Sequence, residues 1–276
     1  MDNSKLTIDA LISHRFRGFS KRENTLEGLK AALDFGVVNL EFDVRVAACG
    51  TPVIYHDEYA LDKDGKRLYL CDYKAASFQG LGGRFPYMPS LEDLLALVSA
   101  HANTKAKLLI DIKDYGFEHE IHALVMLYKL QKRTIYVSWL PDVLYRLQEL
   151  APTIPKCFSH WCQNITAKIA AKHHADRSLD GHIAHTNKPY IHGIRTGWAV
   201  GKPIVGDMLD VLQNSNGGIC VPESMITRDL RDYYNSKNLF VSTYSYTDWK
   251  AINTHKNTLG IDLYFIDNKR IFDDVV

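Results

Sequence analysis

The chain predicts an α/β protein closed as a TIM (β/α)8 barrel. Three observations point there. Eight short apolar runs alternate with amphipathic stretches, the pattern of βα units that build a parallel sheet. The length of 276 residues is close to the ~250 of a typical barrel. Residues with chemical capacity gather at the ends of the first three runs, where a barrel builds its site. A doubly wound open sheet is the alternative, but no Gly-rich dinucleotide loop supports it. No repeat suggests a solenoid. One domain over residues 1–276 is expected.

Ile8 to Ser13 reads as the first strand and ends in His14-Arg15. The polar stretch Phe16 to Asn24 is a loop. Asn24 or Thr25 can cap a helix with Leu26, Leu29 and Leu33 on one face, which Gly36 ends. The second strand carries Leu40-Glu41-Phe42-Asp43-Val44-Arg45. Ala48-Cys49-Gly50 turns the chain back, and Thr51 to Tyr55 returns as an extended arm towards His56. Residues 58–88 are charged and Gly-rich without sustained period, a small insertion after the second strand.

Ser90-Leu91-Glu92-Asp93 has the form of a capping box before a stripe of Leu91, Leu94, Leu95 and Val98. Lys107 to Lys113 is the third strand, Phe117 to Leu130 an amphipathic helix and Ile135 to Trp139 the fourth strand. Pro141 opens a helix at its favoured first position. Lys156 to Ser159 is a short fifth strand. Over 160–217 the pattern weakens to a long loop region, with helical stretches around Ile165 to Ala171 and Met208 to Leu212. Gly218 to Val221, Leu239 to Thr243 and Leu263 to Ile266 are the last three strands. Helices around Asp229 to Ser236 and Asp248 to His255 separate them.

The chemistry starts on the second strand. Glu41 and Asp43 stand two apart, so period-2 geometry puts both carboxylates on one face. Two acids on one face repel unless a cation sits between them, and a hard divalent ion prefers carboxylate oxygen. His56 arrives at the end of the next extended run. This combination suits metal-assisted attack on a phosphodiester, an anion that resists attack by another anion. Imidazole titrates near neutral pH and can serve as acid or base. Arg15 offers a planar fork of donors and Lys113 a point charge, both suited to phosphate.

Composition narrows the partners. A net charge of +1 gives no field that would gather nucleic acid or a membrane surface. No run approaches the ~20 apolar residues of a membrane span. Met1 to Lys5 lacks an apolar signal core. The five cysteines (49, 71, 157, 162, 220) are odd in number and form no CxxC pair, which suits reduced thiols and a cytoplasmic location. A small-molecule phosphodiester is the expected partner.

Taken in order, His14-Arg15, Glu23-Asn24-Thr25, Glu41-Phe42-Asp43-Val44 and Gly50-Thr51-Pro52-Val53-Ile54-Tyr55-His56-Asp57 resemble the glycerophosphodiester phosphodiesterase family. That family reads HRG, PENT, ExDV and DGxPVVxHD with similar spacing. Pro86 to Leu95 and Leu109 to Lys113 look like its next two segments. The resemblance is strong over residues 11–57, fair to about residue 140 and weak beyond.

The resemblance implies a TIM barrel with one divalent ion, Mg2+ or Ca2+, as cofactor. Glu41, Asp43 and Asp111 would be its ligands, and His14 and His56 the catalytic pair. Arg15 and Lys113 would hold phosphate oxygens, and Glu23 would sit close to the metal or to the substrate glycerol. Trp139, His160 and Tyr244 are further candidates for the substrate pocket.

The nucleophile is either water or a neighbouring hydroxyl of the substrate that first forms a cyclic phosphate; the resemblance implies the hydroxyl. The chain departs from the family pattern at several positions. Phe16 replaces Gly, Lys21-Arg22 precede Glu23 where Pro is usual, and Cys49 replaces the turn Asp. Asp111 replaces Glu, and Thr243-Tyr244-Ser245-Tyr246 stands where WTxN is usual. The basic loop Arg15, Arg17, Lys21, Arg22 leaves room for a bulkier sugar phosphodiester of the agrocinopine type. A phospholipase D-like lyase that stops at the cyclic phosphate is another alternative, as is a barrel that only binds a phosphorylated ligand.

Overall fold

The computed structural model describes residues 6–159, 182–183, 197–198 and 203–275. The predicted helix at Ile165 to Ala171, the residue His160 and most of the 160–217 region lie outside them.

Eight parallel strands form the barrel: β1 (Leu11–His14), β2 (Asn39–Val46), β6 (Lys107–Ile112), β7 (Thr134–Ser138), β8 (Lys156–Ser159), β11 (Gly218–Pro222), β12 (Phe240–Tyr246) and β13 (Leu263–Ile266). Neighbours run β1-β13-β12-β11-β8-β7-β6-β2, and pairing of β1 with β2 closes the ring. These are the eight strands predicted, displaced by a residue or a few at their ends. At the start, Ile8–Ala10 forms a 3-10 turn before β1 begins.

Side chains alternate as a closed parallel sheet requires. Leu40, Phe42 and Val44 of β2 and Leu108, Ile110 and Ile112 of β6 belong to the main core, together with helix residues such as Leu29, Leu91 and Leu94. The other face supplies the barrel interior, where Ile12, Leu109, Val137, Cys157, Cys220 and Phe265 pack together. The catalytic candidates continue this inner face at the C-terminal ends of the strands.

The helices form where the caps predicted them. Thr25 accepts from the Gly28 N–H to start α1 (Leu26–Phe35), and Gly36 ends it at φ 90°. Ser90 and Asp93 form the capping box of α3 (Leu91–Ala100). Pro141 opens α5 (Pro141–Leu150). The helical stretch expected around Met208 to Leu212 is Asp207–Asn214.

β2 does not pass directly to a helix. It turns back as β3 (Pro52–Ile54), antiparallel to it, with Val44 opposite Ile54. The insertion that follows is more regular than its sequence suggests. β4 (Tyr59–Leu61) pairs with β5 (Arg67–Tyr69), and α2 (Phe78–Leu81) comes next. Ala60, Leu68, Leu70, Phe78 and Phe85 bury a separate small core with Val53 of the hairpin. That core anchors the arm that carries His56.

Where β8 meets β11 the backbones approach too closely for a side chain. A Cβ on Gly217 would lie 2.0 Å from the Lys156 carbonyl oxygen and 3.1 Å from that of Leu212. Both obstacles are backbone and cannot swing away. Gly217→Ala is therefore expected to lower stability by ~2–3 kcal/mol through overpacking, measured by urea unfolding; an unchanged midpoint contradicts this packing.

Candidate active site

The site is built where β1, β2 and β6 lie side by side. Register places His14 opposite Glu41 and Asp43 opposite Asp111. One oxygen from each of Glu41, Asp43 and Asp111 lies within 4.8 Å of the others, and all three residues are buried. Asp111 Oδ1 is buried and accepts no hydrogen bond, and buried Asp43 Oδ1 meets only the Lys113 ammonium. Unsatisfied carboxylate oxygens are costly inside a protein, and a hard oxygen-loving cation would satisfy them. The donor set fits the divalent ion that the resemblance implies.

Two cations already face this cluster. Lys113 Nζ lies 2.5 Å from Asp111 Oδ2 and 3.1 Å from Asp43 Oδ1. Arg15 Nε lies 3.0 Å from Asp43 Oδ2. Burial alone would push the Asp43 carboxyl up, but Lys113 and Arg15 outweigh it and hold it well below the usual range. Glu41 has no such close cation. Burial, reinforced by the Asp43 charge, pushes its carboxyl well up. A dication in the cluster would reverse that penalty and draw Glu41 into its ionised form.

Arg15 reaches its place through an unusual turn. Arg15, Phe16 and Asn24 all have left-handed backbone, with φ of 55°, 59° and 56°. The turn is tied by Arg15 N–H to the Glu41 carbonyl at 3.0 Å and by Asn24 N–H to the Arg15 carbonyl at 2.8 Å. Asn24 tolerates this conformation and donates its side-chain amide to Asp43 at 2.9 Å. Phe16 does not favour it, but the ring is fully buried and packs 6.1 Å from Phe42. Burial of an aromatic ring, worth ~2–3 kcal/mol, offsets backbone strain of ~1–2 kcal/mol.

The two histidines are oriented alike. His14 Nδ1 lies 2.6 Å from Asp267 Oδ1, while its Nε2 faces Glu41 at 3.8 Å. His56 Nδ1 lies 2.7 Å from Asp57 Oδ1. In each case the carboxylate engages Nδ1, which leaves Nε2 as the working atom. Burial lowers the pKa of both rings, and a neutral imidazole can accept a proton.

His14, Arg15, Glu41, His56, Asp111 and Lys113 line one cleft together with Trp139, Ser159, Cys220, Tyr244 and Phe265. Trp139 and Tyr244 thus line the cleft, and Lys113 Nζ sits 5.9 Å from the centre of the Trp139 ring. Glu23 stands with the arginines instead of in the carboxylate cluster. Its oxygens lie 3.5 Å from Arg15 Nη1 and 2.6 Å from Arg17 Nε.

Three residues of the site were not anticipated. Arg45 donates to the His56 carbonyl at 3.0 Å, the Lys113 carbonyl at 3.2 Å and Asp114 at 2.6 Å, bracing the His56 arm against β6. It stands on the strand face of Glu41 and Asp43, two residues on, so period-2 spacing carries the signal. Asp267 ends β13, and closure of a barrel puts that strand beside β1; the acid at the strand end was the signal. For Asp114 no signal exists beyond its place after Lys113.

With this geometry in view, comparison with known proteins identifies the family. Residues 13–189 match the Glycerophosphoryl diester phosphodiesterase family. The chain belongs to this family. It is 27% identical over 166 residues to glycerophosphodiester phosphodiesterase 1 of Bos taurus, covering 54% of this chain and 48% of that one. The chain spans about half the length of the curated relatives it matches. Solved structures share the fold. A Galdieria sulphuraria protein, described provisionally as a glycerophosphodiester phosphodiesterase, is 18% identical with a TM-score of 0.71, covering 99% of each chain. An Oleispira antarctica phosphodiesterase, solved with its product sn-glycerol-3-phosphate, is 19% identical with a TM-score of 0.64 over 96% of this chain and 95% of that one.

Two predictions follow from the arrangement around Arg15 and His14. Phe16→Ala removes the ring and keeps the strain, whereas Phe16→Gly removes both. Both variants should lose stability, by ~3–5 kcal/mol for Ala, with Gly more stable than Ala by roughly 1 kcal/mol. Chemical unfolding that ranks Ala above Gly contradicts the compensation. For Asp267, burial pushes the carboxyl up, but the His14 hydrogen bond and the His14 and Arg17 charges prevail and lower it from 3.8 to about 2. The folded value lies below the unfolded one, so the contribution is complete above about pH 4 and fades as pH falls through about 2. Asp267→Asn should cost on the order of 2 kcal/mol at pH 5, and the gap to wild type should narrow by pH 2.5. A gap independent of pH contradicts it.

Proposed function

We propose that the protein is a phosphoric diester hydrolase acting on a glycerophosphodiester, releasing an alcohol and a phosphomonoester. The observation that carries this reading is the convergence of two carboxylate-oriented imidazoles, two phosphate-suited cations and three buried carboxylates in one cleft. Family membership and the barrel shared with phosphodiesterases support it.

Glu41, Asp43 and Asp111 would hold one divalent ion, Mg2+ or Ca2+. When bound, such an ion polarises a phosphoryl oxygen and offsets the carboxylate charge that would otherwise repel the diester. Arg15 and Lys113 bind the remaining phosphate oxygens and fix the diester against the imidazoles. One histidine takes the proton of the substrate hydroxyl next to the phosphate through Nε2. As that oxygen bonds to phosphorus, the other histidine protonates the departing alkoxide. The product of this step is a cyclic phosphate. Water then opens the ring, with the two imidazoles exchanging roles. Trp139 and Tyr244 form the wall against which the departing alcohol rests.

The sugar-diester alternative rests on a basic loop with room for a bulkier substrate. Arg17 instead spends its donors on Glu23 and Asp267. Arg22 stacks 3.8 Å over the Tyr87 ring. These commitments favour a glycerophosphodiester. Among the described residues no helix is long and apolar enough to cross a membrane.

The test is hydrolysis of glycerophosphocholine, glycerophosphoethanolamine, lysophospholipids and sugar phosphodiesters with Mg2+, Ca2+ or EDTA, followed by phosphorus NMR. Turnover of a glycerophosphodiester should require the metal and pass through a cyclic phosphate. His14→Ala and His56→Ala should each lower kcat by ~10²–10⁴. No turnover of any diester by metal-loaded protein, or full activity in both variants, overturns the assignment. Accumulation of the cyclic species without its opening would make the protein a lyase.

A further inference from the structure

We propose that Arg17 is a positioning residue that ties the orientation of His14 to that of Arg15. This rests on the phosphodiesterase reading above. The guanidinium bridges two carboxylates that belong to different halves of the site. Its Nη1 donates to Asp267 Oδ2 at 2.7 Å, and the other oxygen of Asp267 holds His14 Nδ1 at 2.6 Å. Its Nε donates to Glu23 Oε2 at 2.6 Å, and the other oxygen of Glu23 faces Arg15 Nη1 at 3.5 Å. One planar fork therefore sets both an acid-base imidazole and a phosphate-suited guanidinium.

The loop is shaped to deliver Arg17 to this point. Arg17 N–H donates to the His14 carbonyl at 3.1 Å, which closes the turn through the left-handed Arg15 and Phe16. Gly18 follows at φ +80°, and a Cβ there would lie 2.8 Å from Lys269 Cβ and 2.9 Å from the Lys269 nitrogen. Only glycine lets the loop press against the segment that follows β13, and that contact puts Arg17 within reach of Asp267. Arg84 reinforces the far end by donating to the Glu23 carbonyl. Glu23 is thereby a brace whose two oxygens both face arginines.

A residue that orients others should affect the transition state more than substrate binding, because misplaced acid-base groups cost rate. In Arg17→Met the side chain keeps an unbranched apolar stem and loses the fork. Its kcat should fall roughly 10–100-fold, with KM changed less than about threefold and with unfolding close to wild type. Guanidinium ion should restore activity to Arg17→Ala several-fold, and methylammonium should do so less well. Arg67→Ala, on the insertion hairpin, should keep wild-type activity and show no rescue. Unchanged kcat in folded Arg17→Met overturns the proposal, as does absence of rescue in folded Arg17→Ala.

A second readout needs no turnover. Nitrogen-edited NMR at one fixed pH should show a hydrogen-bonded Nδ1 proton on His14 in the wild type. That proton should be lost in Asp267→Asn and should exchange faster in Arg17→Met. An equally protected proton in Arg17→Met overturns the proposal whether or not any diester is cleaved. A protein with no activity but the expected NMR changes fails as a phosphodiesterase and retains the Arg17 coupling.

Discussion

Three carboxylates and two cations share the mouth of a barrel whose interior is otherwise apolar. Placing like charges out of water is costly, and removal of a partner leaves a buried charge uncompensated. Much of the local structure answers to that constraint. The parallel register aligns Asp43 with Asp111. Lys113 follows two residues later and folds back onto both. Arg15 is forced through left-handed backbone to meet Asp43, and Asn24 meets the same carboxylate from the far side of the loop. The unpartnered Asp111 Oδ1 shows that the two cations do not satisfy the whole cluster.

The histidines reach this mouth by different routes. His14 is a strand residue, held by an acid from the neighbouring strand end. His56 is on the return arm of a hairpin outside the ring of eight strands, and its backbone is fixed by Arg45 and by the separate core of the insertion. One is set by closure of the barrel, the other by packing of an appendage. Substitutions in the insertion core would thus reach the cleft through His56 and, by way of Arg84, through Glu23.

The barrel was legible because its strands are apolar runs and several helices start at clear signals, the caps Thr25 and Ser90 and the first-turn Pro141. Glu41, Asp43, His14 and His56 stood out because they are ionisable residues within or beside apolar runs. The insertion was read as irregular because its strands are three residues long, too short for a period to register. Local spacing could not reveal Asp267, whose partner is 253 residues away, nor the division of Glu23 between two arginines. Phe16 seemed a simple loss of glycine. Only its burial against Phe42 explains how a large side chain can occupy a left-handed position.

The contact between His14 and Asp267 also has a temporal meaning. The imidazole leaves the ribosome 253 residues ahead of its orienting carboxylate, since they flank the seam where β1 meets β13. During synthesis the carboxylate cluster of β2 and β6 can assemble while His14 still turns freely. A chain that stalls or is clipped before its eighth strand would carry all three clustered carboxylates and lack the aligned imidazole. The seam thus makes the alignment of His14 a property of the closed ring.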